Sequence, residues 1–115
     1  MSENLSEKKC EACSVDAPVL TDQEINEFLP DIPSWIVQED EGTKRLICSF
    51  AFLDYEHSVN FTNLVAKLAE EEDHHPEIVL EWGNVTVSWW SHKIKGLHKN
   101  DFICASKTDD LFKNL

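Results

Sequence analysis

Basic residues are scarce in this sequence of 115 residues. Ten lysines and arginines stand against 22 aspartates and glutamates, so the formal net charge is −12 at pH 7. The basic residues are scattered along the chain and form no cluster. A nucleic-acid backbone or an anionic lipid surface repels a protein of this charge. We therefore expect no direct binding to nucleic acid or to a membrane, and we interpret the acidic surface as a source of solubility.

Long hydrophobic runs are missing as well. The longest apolar stretches, RLICSFAFL and EIVLEW, are far shorter than the roughly 20 residues that a membrane-spanning helix needs. The N-terminal segment MSENLSEKK is charged and is followed by no apolar stretch, so it does not resemble a secretory signal. These absences predict a cytoplasmic protein.

Cysteine occurs only four times, and the four residues form no complete metal-binding pattern. Cys10 and Cys13, in CEAC, have the spacing of half a zinc site, but no second pair stands at a suitable distance. A redox pair of this spacing normally lies between a strand and a helix, whereas this one lies in a polar segment. Cys48 and Cys104 fall in a predicted strand and helix, where cysteine acts as a small hydrophobic residue. The cysteines therefore predict no metal site.

The polar N-terminal segment differs from the rest of the chain. Residues 1–20 show no apolar periodicity, and we predict that they form a flexible tail. Residues 21–115 are then a single domain, long enough to bury a hydrophobic core. A short helix is predicted at its start, because Thr21 and Glu24 have the spacing of a capping box and Pro30 prevents continuation.

Two later segments alternate apolar and polar residues, as β-hairpins do. The first is SWIVQEDEGTKRLICSFAF, with a turn at residues 40–43 where Gly42 can adopt positive φ. The second joins EIVLEW to VTVSWWSH through a predicted two-residue turn, Gly83-Asn84. In the last strand one predicted face carries Val85, Val87 and Trp89, and the other carries Thr86, Ser88, Trp90 and His92.

Helices are predicted between the hairpins and after them. Asp54 is placed to cap a long helix from about Tyr55 to Asp73, which Pro76 prevents from continuing. A final helix is predicted over residues 97–111. The element order is therefore α-β-β-α-β-β-α. This order predicts a two-layer α+β domain, with a four-stranded antiparallel sheet and the helices on one face.

The junction between the long helix and the second hairpin, EEEDHHPEIVLEW, breaks a local rule. Acidic side chains are unfavourable at the C-terminal end of a helix, which already carries partial negative charge. Local rules are often broken where function requires it. The acidic run also favours the protonated form of the adjacent His74 and His75, which suits them to donate protons near neutral pH.

His92 brings this group to three histidines, since it stands on the polar face at the end of the last predicted strand. None of the three falls on an apolar stripe, so we do not expect them in the core. We expect His57 and His98 to be ordinary surface histidines. The residues alone leave two uses for the three imidazoles open, general acid–base catalysis and zinc binding, although adjacent histidines seldom bind one ion together.

The segment EEEDHHPEIVLEWGNVTVSWWSHKIKGLHKNDFICAS resembles the signature of the pterin-4a-carbinolamine dehydratases. That signature has an acidic residue four positions before His-His-Pro, then an aromatic residue, a valine, a Ser/Thr-His pair, Gly-Leu and an aspartate near the start of the last helix. The matching residues here are Glu70, His74-His75-Pro76, Trp82, Val85, Ser91-His92, Gly96-Leu97 and Asp101. The resemblance covers residues 21–115.

Three positions depart from the family pattern. The family commonly has Tyr at the position of Trp82 and Thr at the position of Ser91, which are mild changes. Ser or Thr commonly caps the last helix where this chain has His98, a poorer capping residue that leaves Asp101 as the acidic residue of the first turn. We therefore expect a less stable start to the last helix.

The resemblance implies a reaction and a site. Family members dehydrate a 4a-hydroxytetrahydropterin, which aromatic amino-acid hydroxylases produce, to the quinonoid dihydropterin during tetrahydrobiopterin recycling, without metal or cofactor. By this resemblance His74, His75 and His92 line the site. We assign proton exchange with the pterin to His74 and His92, positioning of its ring to His75, and orientation of an imidazole to Glu70. Asp101 either accepts hydrogen bonds from pterin N–H groups or caps the helix. Trp35 either flanks the pterin plane or belongs to the core.

The same resemblance implies a second kind of function. Some members of the family act as non-catalytic dimerisation modules for a protein partner. The complete set of histidines does not favour that role for this chain. The family also forms oligomers, so we expect a homodimer or a homotetramer here. The resemblance also implies a functional link to an aromatic amino-acid hydroxylase, and the sequence leaves open whether such an enzyme is the metabolic partner.

Overall fold

The computed structural model describes residues 19–115 and has the predicted order α-β-β-α-β-β-α. Residues 1–18, which include Cys10, Cys13 and most of the predicted tail, lie outside the described part. The elements are α1 (Asp22–Phe28, continued by a 3-10 turn at Leu29–Asp31), β1 (Ile36–Asp40), β2 (Thr43–Ala51), α2 (Tyr55–Glu72), β3 (Glu77–Glu81), β4 (Asn84–Trp89) and α3 (Lys99–Lys113). No helix within residues 19–115 has the length and apolar character needed to cross a membrane.

The four strands form one antiparallel sheet in the order β1-β2-β4-β3. β2 and β4 pair at its centre, with Leu46 opposite Trp89 and Phe50 opposite Val85. Alternate residues of these strands are buried, among them Leu46, Cys48, Phe50, Val85, Val87 and Trp89. These side chains face the helices, so the predicted α+β fold, with a four-stranded antiparallel sheet under helices, is confirmed.

Four phenylalanine rings join β2, α2 and α3 across this core. The Phe50 ring lies 4.8 Å from the Phe61 ring and 5.0 Å from the Phe112 ring, measured between centroids. Phe52 contacts the same two rings at 5.2 and 5.6 Å. Tilted aromatic pairs at these distances are each worth about 0.5–1.5 kcal/mol beyond the burial of their area. The cluster fixes the packing of both long helices on the sheet.

The predicted helix caps form as expected. At α1 the Glu24 N–H donates to Thr21 Oγ1 (3.2 Å) and the Thr21 N–H donates to Glu24 Oε1 (2.9 Å), which is a complete capping box. At α2 the Asp54 carboxylate accepts from the His57 N–H at 2.9 Å. This hydrogen bond lowers the pKa of Asp54. Short-range sequence patterns therefore place both helix starts correctly.

Ordered contacts begin before the predicted domain boundary. The Leu20 N–H donates to the Leu97 carbonyl at 2.9 Å. Val19 packs so closely on Gly96 that a Cβ added there would lie 2.9 Å from Val19 Cγ1. The last two residues of the predicted tail therefore contact the loop that precedes α3.

The second hairpin turns one residue earlier than predicted. Glu81 pairs with Asn84, so the two turn residues are Trp82 and Gly83, not Gly83 and Asn84. Gly83 has φ +72°, and its carbonyl accepts from the Phe52 N–H at 2.9 Å. The prediction was wrong because the turn docks against the end of β2, and a glycine is needed where the backbone approaches Phe52 most closely.

This contact generates a prediction about stability. Gly83→Ala places a residue with a side chain at positive φ and sets its Cβ 3.1 Å from the Phe52 carbonyl oxygen. Gly42→Ala is the matched control, because Gly42 has φ +81° but nothing lies within 4 Å of an added Cβ. We expect Gly42→Ala to cost about 1–2 kcal/mol of unfolding free energy and Gly83→Ala to cost more, as measured by urea denaturation. Equal losses would show that the contact with Phe52 does not constrain the turn.

Candidate active site

The paired histidines lie at the exit of α2, as predicted. Asp73 ends the helix in the left-handed conformation with φ 50°, and the His74 N–H donates to the Ala69 carbonyl at 3.1 Å. Pro76 follows, and β3 begins at the next residue. The backbone reverses within these few residues, so the two adjacent imidazoles point to different surroundings.

His74 is buried, which the sequence analysis did not expect. Its side chain is 6% exposed, and its ring stacks on the Trp89 ring at 5.5 Å with an interplanar angle of 16°. His74 Nε2 lies 2.6 Å from Asp101 Oδ1. The expectation was wrong because no apolar stripe of the sequence includes His74. The left-handed turn at Asp73 and the position of Trp89 on β4 bring it into the interior.

Asp101 is fully buried, and both carboxylate oxygens are occupied. Oδ1 faces His74, while Oδ2 accepts from Ser91 Oγ and from the His98 N–H, each at 2.9 Å. The carboxylate also lies in the first turn of α3, where the helix dipole favours negative charge. Of the two roles left open for Asp101, this geometry favours helix capping over hydrogen bonding to a ligand.

The pairing determines which nitrogen of His74 carries a proton. An ionised carboxylate is an acceptor only, so His74 Nε2 donates to Asp101. His74 Nδ1 is then the ring nitrogen that is not engaged by Asp101. This arrangement lets the buried carboxylate fix the tautomer and the orientation of the His74 ring.

His98 is half-buried and serves as the N-cap of α3. Its Nδ1 accepts from the Asn100 N–H at 3.1 Å, and Asp101 completes the capping box through the His98 N–H. His98 thus caps the helix at the position where the family pattern has Ser or Thr, with an imidazole nitrogen in place of the hydroxyl oxygen, so it is not an ordinary surface histidine. The helix begins at Lys99, two residues later than predicted, since His98 fixes its start.

His92 lies beyond the end of β4, not on the strand as predicted, because β4 ends at Trp89. The chain then turns through an isolated bridge between Ser91 and Gly96. His92 Nε2 lies 3.0 Å from the His75 carbonyl oxygen. A carbonyl oxygen accepts only, so Nε2 donates, and Nδ1 is the ring nitrogen outside this contact. The contact joins the segment after β4 to the segment after α2, so His92 lies beside the backbone of the paired histidines.

Glu70 lies beside His75, with Glu70 Oε1 3.4 Å from His75 Nε2. Their side chains are 80% and 57% exposed, so the pair contributes little to stability. Glu70 is thus near one of the two adjacent imidazoles, while Asp101 holds the other. This division was not expected from the sequence, which assigned the orienting role to Glu70.

Trp35 occupies a core position. Its side chain is 3% exposed, its Nε1–H donates to Asp109 Oδ1 at 2.8 Å, and its ring meets the Phe50 ring edge-on at 6.0 Å. Burial raises the pKa of Asp109 and raises the pKa of the neighbouring Cys48 thiol to about 11. Trp35 therefore belongs to the core, one of the two places that the sequence left open for it, and it is not part of the proposed site.

Sequence reasoning missed two contributors to the site, Ser91 and Trp89. Ser91 was noticed only as a departure from the family pattern, although it binds Asp101. Trp89 was assigned correctly to the buried face of its strand, but its stacking on His74 depends on tertiary packing. Within residues 19–115, no group of three or more His, Cys, Asp and Glu side chains is arranged to hold a metal ion.

Solved structures support this fold independently. A transcriptional coactivator/pterin dehydratase from Brucella melitensis is 31% identical, with a TM-score of 0.73, over 82% of this chain and 98% of that chain. A pterin dehydratase-like protein identified as a RuBisCO assembly factor in the alpha-carboxysome is 25% identical, with a TM-score of 0.58, over 68% of this chain and 88% of that chain.

Sequence relatives are more similar still. A Photobacterium profundum protein named "Putative pterin-4-alpha-carbinolamine dehydratase" is 58% identical over 106 residues, which is 92% of this chain and 95% of the relative. A Saccharophagus degradans protein of the same name is 52% identical over 110 residues, covering 96% and 97%. The family model for pterin 4 alpha carbinolamine dehydratase matches residues 18–111. With the histidine signature and the fold, these matches show that the chain belongs to the pterin-4a-carbinolamine dehydratase family.

Proposed function

We propose that this protein dehydrates a 4a-hydroxytetrahydropterin to the quinonoid dihydropterin and water, as a step in tetrahydrobiopterin recycling. Membership of the dehydratase family supports this reaction class. The assignment to particular residues rests on two contacts: His92 bonds to the backbone carbonyl of His75, and the adjacent His74 pairs with a buried carboxylate.

The reaction requires two proton transfers and no change in net oxidation state. The C4a–O bond breaks, and the departing oxygen takes a proton from an acid and leaves as water. A base removes the proton from N5, and the electron pair of that N–H bond forms the C4a–N5 double bond. Imidazole serves in both roles near neutral pH, because its protonated and neutral forms are both populated there.

His74 and His92 are suited to these transfers because each ring is held through one nitrogen. His74 Nε2 is bound to Asp101, and His92 Nε2 is bound to the His75 carbonyl. Each ring therefore has Nδ1 for exchange with substrate, one as acid in its protonated form and one as base in its neutral form. His75, exposed beside Glu70, is assigned to positioning the pterin ring.

A second candidate function is a binding module for a protein partner. It is favoured by two structural relatives, one named a transcriptional coactivator and one a RuBisCO assembly factor. The complete histidine set favours the enzyme for this chain.

We further propose that the protein acts in the cytoplasm as a homodimer or homotetramer, with an aromatic amino-acid hydroxylase supplying its substrate.

The first test concerns the two proton-exchanging histidines. His74→Ala and His92→Ala should each lower kcat by about a hundredfold or more, because each removes an acid or a base. The double variant should lose less than the product of the single losses, since the two groups act as a unit. His57→Ala is the matched control, because His57 is exposed and pairs with Asp54 at the start of α2. If both single variants keep near-parental turnover, the binding-module function is preferred.

A second test concerns Asp101. Asp101→Asn keeps the shape of the side chain but replaces one acceptor oxygen by an NH2 donor. This NH2 group then faces either His74 Nε2 or the two donors Ser91 Oγ and His98 N–H. We expect a loss of roughly 1–3 kcal/mol in unfolding free energy and a fall in kcat that exceeds any change in KM. Asp110→Asn, on the same helix, is the control for removal of charge. Parental stability and kcat for Asp101→Asn would show that the network does not orient His74.

A third test concerns metals. We propose that the reaction needs no metal or organic cofactor, because His74 Nε2 faces Asp101 and His75 Nε2 faces Glu70, so these nitrogens do not converge. Dialysis against a chelator should leave turnover unchanged, and elemental analysis should find no stoichiometric metal. One zinc or iron per chain, with activity lost on chelation and restored by that metal, would contradict the proposed mechanism.

A further inference from the structure

Three side chains form a column on the face of the sheet opposite the helices. Arg45 lies on β2 between inward-facing residues, so its side chain points to this open face. Its guanidinium carbon lies 4.0 Å from the centroid of the Trp90 ring. The Trp90 ring in turn lies 4.4 Å from the His92 ring, with an interplanar angle of 37°. The column therefore ends on one of the histidines assigned to proton exchange.

Two carboxylates, one on β1 and one on β3, contact the guanidinium at the base of this column. Arg45 Nη2 lies 3.4 Å from Asp40 Oδ2 at the end of β1, and Nη1 lies 3.6 Å from Glu77 Oε1 at the start of β3. The Arg45 side chain is only 16% exposed, and its Nε has no hydrogen-bond partner. The guanidinium lies over the indole ring, within the distance of a cation–π contact, which arginine makes more often than lysine.

His92 needs such support because of its position. It is exposed and lies in a loop after the end of β4, where backbone pairing does not restrict it. Its hydrogen bond to the His75 carbonyl holds one nitrogen, and the Trp90 ring covers one side of the imidazole. Proton transfer depends steeply on the placement of the acid or base, so a ring free to rotate would transfer protons less efficiently.

We propose that Arg45 and Trp90 are positioning residues for His92, with the guanidinium holding the indole and the indole holding the imidazole. The inference rests on the proposed function for its effect on turnover. The proposal gives the face of the sheet opposite the helices a role in catalysis, although none of the three histidines lies on a strand. The competing explanation is that Trp90 only shields the sheet from water.

A double-mutant cycle separates these explanations. Trp90→Ala should lower kcat about tenfold with a smaller change in KM, and it should have no further effect in a His92→Ala background. Trp90→Phe should recover most of the loss because it keeps a ring beside His92. Arg45→Met should lower kcat several-fold. Trp82→Ala is the control, because Trp82 is exposed at the tip of the same hairpin, at the other end from His92.

The same variants also give the results that would contradict the proposal. Parental kcat for Trp90→Ala, or an equal fractional loss with and without His92, would overturn the proposal in favour of a structural role. If Trp90→Ala fails to fold, Trp90→Phe and Arg45→Met carry the test, each checked by its melting temperature.

A spectroscopic measurement tests the proposal without relying on activity. In the parental protein the Trp90 ring current should displace the His92 ring-proton resonances in the NMR spectrum. Arg45→Met should reduce that displacement, because the guanidinium no longer holds the Trp90 ring in place. An unchanged His92 resonance would overturn the role of Arg45. If the parental protein has no dehydratase activity, the proposed function fails, and the resonance shift still decides whether the column positions His92.

Discussion

The buried carboxylate of Asp101 is the group on which the site depends. A charged group without contact with water is stable only when hydrogen-bond donors surround it. Here the donors come from three places that are distant in sequence: His74 after α2, Ser91 after β4 and the backbone of His98 before α3. The carboxylate therefore couples the exit of one helix, the end of a strand and the start of another helix.

This coupling gives the two histidines that we propose as acid and base different surroundings. His74 is buried between the Trp89 ring and Asp101, so its orientation is set by groups that also stabilise the fold. His92 is exposed and is held by a carbonyl and by the Trp90 ring. Pairs of titratable groups in unlike environments are the usual way in which one site supplies both an acid and a base. The difference between the two rings is thus a property that the proposed chemistry requires.

The acidic run before the histidines also has a structural context. Its residues lie in the last turn and at the C-cap of α2, where their charge opposes the helix dipole. Glu70 lies beside the exposed His75, and the left-handed conformation of Asp73 turns the chain so that His74 enters the core. A less regular helix end is therefore the feature that separates the two adjacent imidazoles into one buried and one exposed position.

Local patterns in the sequence determined the order of the elements, the caps at Thr21 and Asp54, the buried faces of β2 and β4, and the place of the paired histidines at a helix exit. Each depends on residues within one turn or one strand, so periodicity and capping rules suffice. The tertiary structure alone decided the burial of His74, the partners of Asp101 and the column on His92. Asp101 meets His74 and Ser91 across 27 and 10 positions of the sequence, and Arg45 on β2 meets Trp90 beyond the end of β4, so these contacts exist only after helices and sheet have packed. The turn at Trp82-Gly83 was misplaced for the same reason, since its position is fixed by docking against Phe52 and not by the turn residues themselves.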